Sequence, residues 1–188
     1  MLSQIIQKSF RLFRKIICTM NKKNLELVRL SPFDGKDFYD MLKHIGSQEN
    51  DFTNPVHDMS YREFKLWLKQ QDDWSRGENL PHGYVPQVCF WLVADEKPVG
   101  LGKIRMSLTE ESRLEGGNIG YAIDSRERGK GFGSQLLRLL LIKAKEYNLN
   151  NPLITVRKNN AASKRVAELN GARLVNETEE WLYFEVNY

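Results

Sequence analysis

The spacing of apolar residues predicts strands and helices in the first half of the chain. Residues 25–30 alternate between apolar and polar, as in a strand, whereas residues 34–45 place their apolar positions on one face of a helix. Ser60-Tyr-Arg-Glu63 is typical of a capping box, which predicts that a second helix begins there. The polar segments 46–59 and 72–86 both contain proline and are predicted to be loops.

The second half alternates shorter apolar runs with glycine-rich or charged turns. In chain order, the predicted elements are strands at 88–94 and 99–108 around a turn at 95–98, a linker at 109–116, a strand at 117–123, a helix at 134–147, a strand at 153–156, a helix at 160–169, and closing strands at 173–175 and 181–186. Gly171 stands in the C-cap position, where helices prefer glycine. This order predicts an α/β (α+β) fold with a mixed sheet flanked by helices.

One segment, residues 117–134, joins a strand to a glycine-dense basic loop and a helix start. Gly129, Gly131 and Gly133 occupy alternate positions, accompanied by Arg128 and Lys130. The bare backbone amides of such a loop and a helix N-terminus together form a cradle for phosphate. We therefore expect this segment to hold the pyrophosphate of a nucleotide-like cofactor. The alternative is a glycine-rich turn whose cations are merely solvated.

The spacing of these glycines separates the common kinds of phosphate loop. A dinucleotide-binding fingerprint needs G-x-G-x-x-G, but the position of its last glycine is Ser134. A P-loop needs a glycine followed by lysine and then serine or threonine, whereas Gly129-Lys130 is followed by Gly131. Both kinds are disfavoured.

The pattern that fits is Arg-x-x-Gly-x-Gly, filled by Arg128, Gly131 and Gly133. It resembles the acetyl-CoA loop of the GCN5-related N-acetyltransferase (GNAT) superfamily, and the resemblance extends from about Val88 to the C-terminus. Residues 160–171 resemble the last helix of that superfamily, with its Asn-x-x-Ala/Ser start and terminal glycine. The runs 90–93 and 117–123 are similar to a bacterial "predicted acetyltransferase" subgroup that has no assigned substrate.

The resemblance implies a GNAT-like mixed, mostly antiparallel central sheet and acetyl-CoA as cosubstrate. The loop amides would hold the pyrophosphate, and the strand before the loop would lie along the pantetheine arm. Asn160 matches a family asparagine that contacts this arm, and it also suits a helix N-cap. The implied cofactor-binding residues are Ala122, Ile123, Asp124, Arg128, Gly129, Lys130, Gly131, Phe132, Gly133, Ser134 and Asn160.

The implied reaction is direct attack of a primary amine on the thioester, which requires removal of a proton. An amine with a pKa of ~10.4 is only about 0.04% neutral at pH 7, which adds roughly 4.6 kcal/mol to the barrier. Three residues on or before the central strand are candidates for catalytic roles: Glu115, Asn118 and Tyr121. Their structural alternatives are a solvated loop residue, an asparagine that only orients water, and core packing.

The position of a frequent family tyrosine, four residues before the helix-ending glycine, is Ala167 here. The thiolate would therefore be protonated by water, by another tyrosine such as Tyr183, or by no side chain. Two functions stay open at this point. The first is an N-acetyltransferase (EC 2.3.1.-) acting on a small-molecule or protein amine. The second is a non-catalytic acetyl-CoA-binding or sensor module.

Substrate recognition is expected in residues 34–86. Trp67, Trp74 and Tyr84, with Asp72 and Asp73, could line a site for a cationic substrate. The alternative is a pair of amphipathic core helices followed by a solvated acidic loop.

The net charge of +4 is confined to the N-terminal segment, which weakens a nucleic-acid-binding function. Residues 1–20 contain Lys8, Arg11, Arg14 and Lys15 and no acid, so basic and acidic residues balance in the rest. A nucleic-acid interface would instead spread positive charge over the folded surface. The chain has no apolar run of about 18 residues, which predicts no membrane span. Its two cysteines and three scattered histidines predict neither a disulfide framework nor a metal site.

Residues 1–20 are predicted to be a basic amphipathic extension, and residues 21–188 a single acetyl-CoA-dependent acyltransferase domain. Three interpretations of the extension stay open: an upstream start with Met20 as the natural first residue, a helix packed on the domain or a partner, or a membrane-surface or targeting segment. We expect a cytoplasmic protein. A homodimer formed through the closing strands is a further hypothesis.

Overall fold

Strands and helices follow one another in nearly the predicted order. The computed structural model describes residues 15–20, 23–50 and 52–187. The strands are β1 (Lys15–Met20), β2 (Lys23–Arg29), β3 (Gln48–Glu49), β4 (Phe52–Thr53), β5 (Gln87–Ala94), β6 (Lys97–Arg105), β7 (Ile119–Ile123), β8 (Leu153–Arg157), β9 (Arg173–Glu177) and β10 (Trp181–Glu185). The α-helices are α1 (Lys36–Leu42), α2 (Tyr61–Ser75), α3 (Glu110–Leu114), α4 (Phe132–Glu146) and α5 (Ala161–Leu169).

The strands form two main sheets. Five antiparallel strands lie in the order β1-β2-β5-β6-β7, and three more lie in the order β8-β10-β9. Strands β3 and β4 form a separate short hairpin. Helices pack on the sheets, so the predicted α/β (α+β) architecture with mostly antiparallel strands is confirmed.

The five-stranded sheet carries a hydrophobic core on each face. On one face, α4 packs closely on β6: a Cβ at Gly102 would lie 2.5 Å from Leu140 Cδ1, so a larger residue there would force Leu140 or the helix to shift. On the other face, Trp91 and Phe64 are fully buried between the sheet and helices α1 and α2. The alternation of strand side chains thus supplies both cores, and β7 is left at the edge of the sheet.

Two helix boundaries, the start of α2 and the end of α5, have the geometry that the local sequence predicts. The capping box at Ser60 is confirmed, because its side chain accepts from the Glu63 amide while the Glu63 carboxylate accepts from the Ser60 amide. Gly171 adopts a left-handed φ of 77° just after α5, as its C-cap position predicts.

Two predicted loops contain regular structure. The linker at 109–116 holds the short helix α3, whose capping box joins Thr109 to Ser112. The loop at 46–59 holds the β3–β4 hairpin and a 3₁₀ turn at Pro55–His57. Elements of two to five residues are too short to show a hydrophobic period, which is why the prediction missed them.

Part of the predicted N-terminal extension is a strand. Residues 15–20 pair with β2, with Lys15 opposite Val28 and Met20 opposite Lys23. Residues 1–14, the rest of the extension apart from this strand, lie outside the described residues. Within the described ranges, no helix is long and apolar enough to cross a membrane. The same ranges contain no cluster of three or more histidine, cysteine or carboxylate side chains suited to a metal.

Candidate active site

Strands β7 and β8 belong to different sheets and are held together at one end by Asn118. Its backbone N–H donates to Leu153 O at 2.7 Å, and its Oδ1 accepts from Leu153 N at 2.9 Å. Its Nδ2 donates to Arg105 O at 3.1 Å, which ties in β6 as well. Beyond this junction the two strands form no ladder, and cavities lie between them.

A cleft of about 320 Å³ follows the open edge of β7 to the start of α4. A smaller cavity of about 50 Å³ lies deeper between β7 and β8. The two cavities share four lining residues: Asn50, Tyr121, Asn160 and Ser163. The two cavities therefore adjoin, and we refer to them together as the channel, with the glycine loop at one end and the β7–β8 junction at the other.

The glycine loop borders the wide end of the cleft. Gly129 and Gly131 adopt left-handed φ values of 75° and 83°, and a Cβ at Gly129 would meet nothing within 4 Å. Gly131 is the N-cap of α4 and brings no capping side chain, and the first turn of the helix has no acid. Since first-turn amides have no partner within their own helix, this end of α4 offers donors and positive potential to an anion.

Arg128 connects the loop to both sides of the cleft. Its Nε donates to Ile123 O at 3.1 Å, and its Nη1 is ion-paired with the Glu49 carboxylate. The hydrogen bond from Arg128 lowers the pKa of Glu49 to about 2. Lys130 is exposed and pairs with Glu127 at 2.8 Å, so it does not line the cleft.

The residues predicted to lie along the cofactor arm divide into two groups. Ala122 and Ile123 line the cleft, as do loop residues 128, 129 and 131–134. Asp124 is buried and faces a different depression, where Arg126 donates to it at 2.7 Å. Burial alone would raise the pKa of Asp124, but hydrogen bonds from Arg126 outweigh it and hold that pKa below its ordinary value.

The three candidate catalytic residues occupy very different surroundings. Glu115 is exposed at the end of α3 and lines neither cavity. Both polar atoms of the Asn118 side chain are engaged with backbone groups. Tyr121 lines both cavities, and its buried hydroxyl lies beside Ser163 without forming a hydrogen bond of normal length. Burial raises the pKa of Tyr121 to about 12, so the phenol keeps its proton at neutral pH.

The helix α5 forms the opposite wall of the cleft. Asn160 caps it, since its Oδ1 accepts from Ser163 N at 3.0 Å, and the residue lines both cavities. Ala167 is fully buried one turn beyond Ser163. Tyr183, the other tyrosine considered above, donates its hydroxyl to Leu114 O at 3.2 Å and lines neither cavity.

The aromatic and acidic residues considered for a cationic substrate do not converge on the cleft. Trp67 is buried in the core between α2 and the sheet. Asp72 and Asp73 are ion-paired with Arg76 at 2.5 and 2.6 Å. The arrangement matches the alternative of core helices followed by a solvated acidic turn.

Sequence reasoning missed the contribution of the β3–β4 hairpin. Glu49 and Asn50 line the wide cleft, and Phe52 lines the small cavity. These residues lie in a polar segment without a periodic pattern, about 70 residues from the strand and loop they meet. No local signal marks them.

A family model described as the acetyltransferase (GNAT) domain matches residues 8–173. The chain belongs to the GNAT acetyltransferase family. The identification confirms the resemblance drawn from the glycine loop and the helix at 160–171, and it makes the chain an acyltransferase of class EC 2.3.1.-.

Solved structures of GNAT acetyltransferases share the fold. The apo form of RimL, a ribosomal L7/L12 α-N-protein acetyltransferase, is 16% identical with a TM-score of 0.65, over 93% of this chain and 95% of that one. The complex of RimL with coenzyme A gives 17% identity and a TM-score of 0.65, over 92% and 98%. A ribosomal-protein-S5-alanine acetyltransferase from Vibrio fischeri gives 16% and 0.64, over 92% and 96%. Comparison with curated proteins gives no match.

Proposed function

We propose that this GNAT acetyltransferase moves an acetyl group from acetyl-CoA to a primary amine of a small molecule or protein by direct attack. The observation that carries the proposal is the left-handed glycine loop at the start of α4, which borders a cleft of about 320 Å³ beside the open edge of β7. A glycine loop suited to phosphate, at one end of a channel, matches a cosubstrate with a pyrophosphate and an extended arm.

The residues present fit acetyl-CoA at the wide end. The amides around Gly131 and Gly133 would bind the pyrophosphate, and the dipole of α4 would add about 0.3–1 kcal/mol. Arg128 stands beside this site and can exchange Glu49 for a phosphate oxygen. The exposed backbone edge of β7 at Ala122 and Ile123 offers strand-like pairing to the amides of the arm. Coenzyme A bound to RimL, a structure with the same fold, supports this assignment.

Bound acetyl-CoA would supply an activated acetyl thioester, so that the chain itself needs no nucleophile. The acceptor amine must lose a proton, at a cost of roughly 4.6 kcal/mol if it starts with a pKa near 10.4. Glu115 lies outside both cavities and can act on that proton only through solvent. Glu49 lines the cleft, but its pKa of about 2 makes it a weak base.

We assign Tyr121 the role of hydrogen-bond donor at the reaction centre. Its hydroxyl is buried, protonated at neutral pH and without a hydrogen bond in the described part of the chain. The Tyr121 hydroxyl lies beside Ser163 of α5, and Ala167 follows Ser163 one turn later on the same helix. Tyr121 can therefore protonate the departing thiolate from β7, whereas many relatives use a tyrosine on the helix for this step. Asn118 would act as a positioning residue that fixes the β7–β8 junction.

The test combines cofactor binding with turnover. Thermal denaturation of the purified protein is measured with and without acetyl-CoA. Separate, unheated samples are assayed for CoA release with amino acids, polyamines, aminoglycosides and N-terminal peptides. The peptides are included because RimL and the S5 enzyme are described as ribosomal-protein acetyltransferases. A rise in Tm with acetyl-CoA and turnover of at least one amine are expected. Stabilisation without turnover of any amine would contradict the proposal and favour the non-catalytic sensor.

The edge strand β9 supports the hypothesis of a homodimer. All five of its residues are exposed, and Leu174 and Val175 each expose about half of their surface. An edge strand that exposes apolar side chains is a surface that proteins usually cover. Sedimentation analysis of the wild type and of a Leu174→Lys, Val175→Lys double variant tests this, and a monomeric wild type would contradict it.

A further inference from the structure

Lys103 reaches the edge of the sheet across a glycine. It lies on β6 between Cys89 of β5 and Gly120 of β7, on the face opposite α4. Its Cε is 3.1 Å from the position that a Cβ at Gly120 would occupy. Because Gly120 has no side chain, the lysine can extend over β7 towards its open edge. Its Nζ ends 5.0 Å from the centre of the Phe52 ring.

The Lys103 side chain approaches two residues at the deep end of the channel, although Lys103 itself lines neither cavity. Phe52 and Gly120, its two neighbours, both line the small cavity between β7 and β8. That cavity includes none of the residues of the glycine loop but shares Tyr121 with the wide cleft. With the cofactor entering from the loop, the deep end is where an acceptor would meet the acetyl group.

Lys103 has no negatively charged neighbour among the described residues. It forms no ion pair and no hydrogen bond there, and its ammonium group lies over the Phe52 ring. Arg105, whose charge acts on the pKa of Lys103, is also a cation, while the Cys89 thiol is neutral because burial raises its pKa to about 11. Burial, aided by Arg105, lowers the pKa of Lys103 to about 8, so the amine is still about nine-tenths protonated at pH 7.

A cation that is partly desolvated and lacks a counter-ion is costly, and a bound anion would relieve that cost. The acceptor amine is itself a cation before it reacts, so Lys103 would repel it unless the same molecule also carried a negative charge. Local charge therefore favours acceptors that also carry a negative charge over simple amines.

We propose that Lys103 recognises a carboxylate on the acceptor, so that the enzyme acetylates an amine whose own molecule carries an acid group. This inference rests on the proposed function, because it assumes that acetyl-CoA occupies the cleft. Lys103 then determines specificity: it pairs with the carboxylate while the amine faces the small cavity. Arg105, which donates to the Gly117 carbonyl at 2.9 Å, adds positive potential without competing for the ligand.

The experiment compares how tightly the CoA-loaded protein binds an N-acetylated acid, which resembles the product, and the amide of the same acid. N-Acetylglycine and N-acetyl-β-alanine are titrated by calorimetry against their amides, which differ only in the charged group. Saturation with CoA is established first on the same sample. The variants are Lys103→Met, which removes the charge at similar length, and Lys103→Arg, which keeps it. Lys97→Met is the control, since Lys97 lies exposed on the same strand.

At least one acid is expected to bind the wild type about tenfold or more tightly than its amide, as a charge-assisted hydrogen bond allows. Lys103→Met should abolish this preference, Lys103→Arg should keep part of it, and Lys97→Met should keep all of it. The preference should fall as the pH rises above 8, because Lys103 loses its charge while Arg105 stays charged and Cys89 stays neutral.

Equal binding of acid and amide to the CoA-loaded wild type would overturn the inference, as would no measurable binding of either. A Lys103→Met variant that keeps the preference would also overturn it. Loss of turnover for neutral amines in Lys103→Met, without any preference in the wild type, would instead make the lysine a base. Failure to bind CoA at all would count against the proposed function, and that step is read separately.

Discussion

Arg128 of the glycine loop is ion-paired with Glu49 of the β3 hairpin across the mouth of the cleft. The pair joins the segment that would hold the cofactor phosphates to the β3–β4 hairpin, whose residues line both cavities. Arg128 also donates to Ile123 O at the end of β7. One side chain of the loop thus contacts two other parts of the cleft, the end of β7 and the hairpin.

The Glu49–Arg128 pair predicts an acid-sensitive component of stability. The pKa of Glu49 is about 2 in the folded protein and ordinarily 4.5, so its contribution is fully present above pH 4.5 and is lost as the pH falls towards 2. Glu49→Gln should therefore lower the Tm near pH 7 and converge with the wild type near pH 2. Thermal denaturation across this range measures the difference. Glu179→Gln, an exposed residue between β9 and β10, is the control, and an offset that does not change with pH would contradict the assignment.

Substitution of Gly131 separates the binding of acetyl-CoA from backbone strain. Gly131→Asp should abolish the thermal stabilisation by acetyl-CoA, because it places bulk and negative charge at the N-cap of α4. It should also cost about 1–2 kcal/mol of stability, since the residue has a φ of 83°. Gly83→Asp meets nothing within 4 Å and has nearly the same φ, 82°, outside the cleft. If both variants respond to acetyl-CoA alike, the loop does not bind it.

Tyr121→Phe tests a chemical role without a large change in packing. The turnover number should fall by about 10²-fold, as is typical on loss of a general acid, while acetyl-CoA affinity stays unchanged. Stability should stay equal or rise, because the buried hydroxyl has no hydrogen bond of normal length to lose, only its approach to Ser163. Steady-state kinetics and thermal denaturation measure the two effects. Tyr147→Phe, at the far end of α4, is the control, and an unchanged kcat in Tyr121→Phe would remove the residue from the mechanism.

Asn118→Ala should act on stability rather than on chemistry. It leaves Leu153 N and Arg105 O without their side-chain partner at the β7–β8 junction, for a loss of about 2–4 kcal/mol. Urea denaturation measures this loss, with the exposed Asn159→Ala as control. Wild-type stability combined with lost turnover would instead show that Asn118 acts on the substrates.

Local signals were sufficient for several helix ends and for the glycine loop. The capping box at Ser60, the glycines at 129 and 131 and the N-cap at Asn160 each depend on a few adjacent residues, and each has the expected geometry. Longer helices and strands were found because an apolar period repeats over several turns or pleats. The helix α3 and the β3–β4 hairpin were missed because they are shorter than any such period.

The amino-acid sequence by itself determined the fold class and the GNAT family, and it predicted phosphate binding by residues 128–134, since spacing along the chain sets backbone conformation and helix ends. Only the tertiary structure decided which distant side chains share the cleft. It brought Glu49 to Arg128, placed Lys103 beside Phe52, and engaged Asn118 in backbone hydrogen bonds while leaving the Tyr121 hydroxyl without one. These contacts join segments many residues apart, and they depend on sheet register and helix packing, which no local pattern encodes.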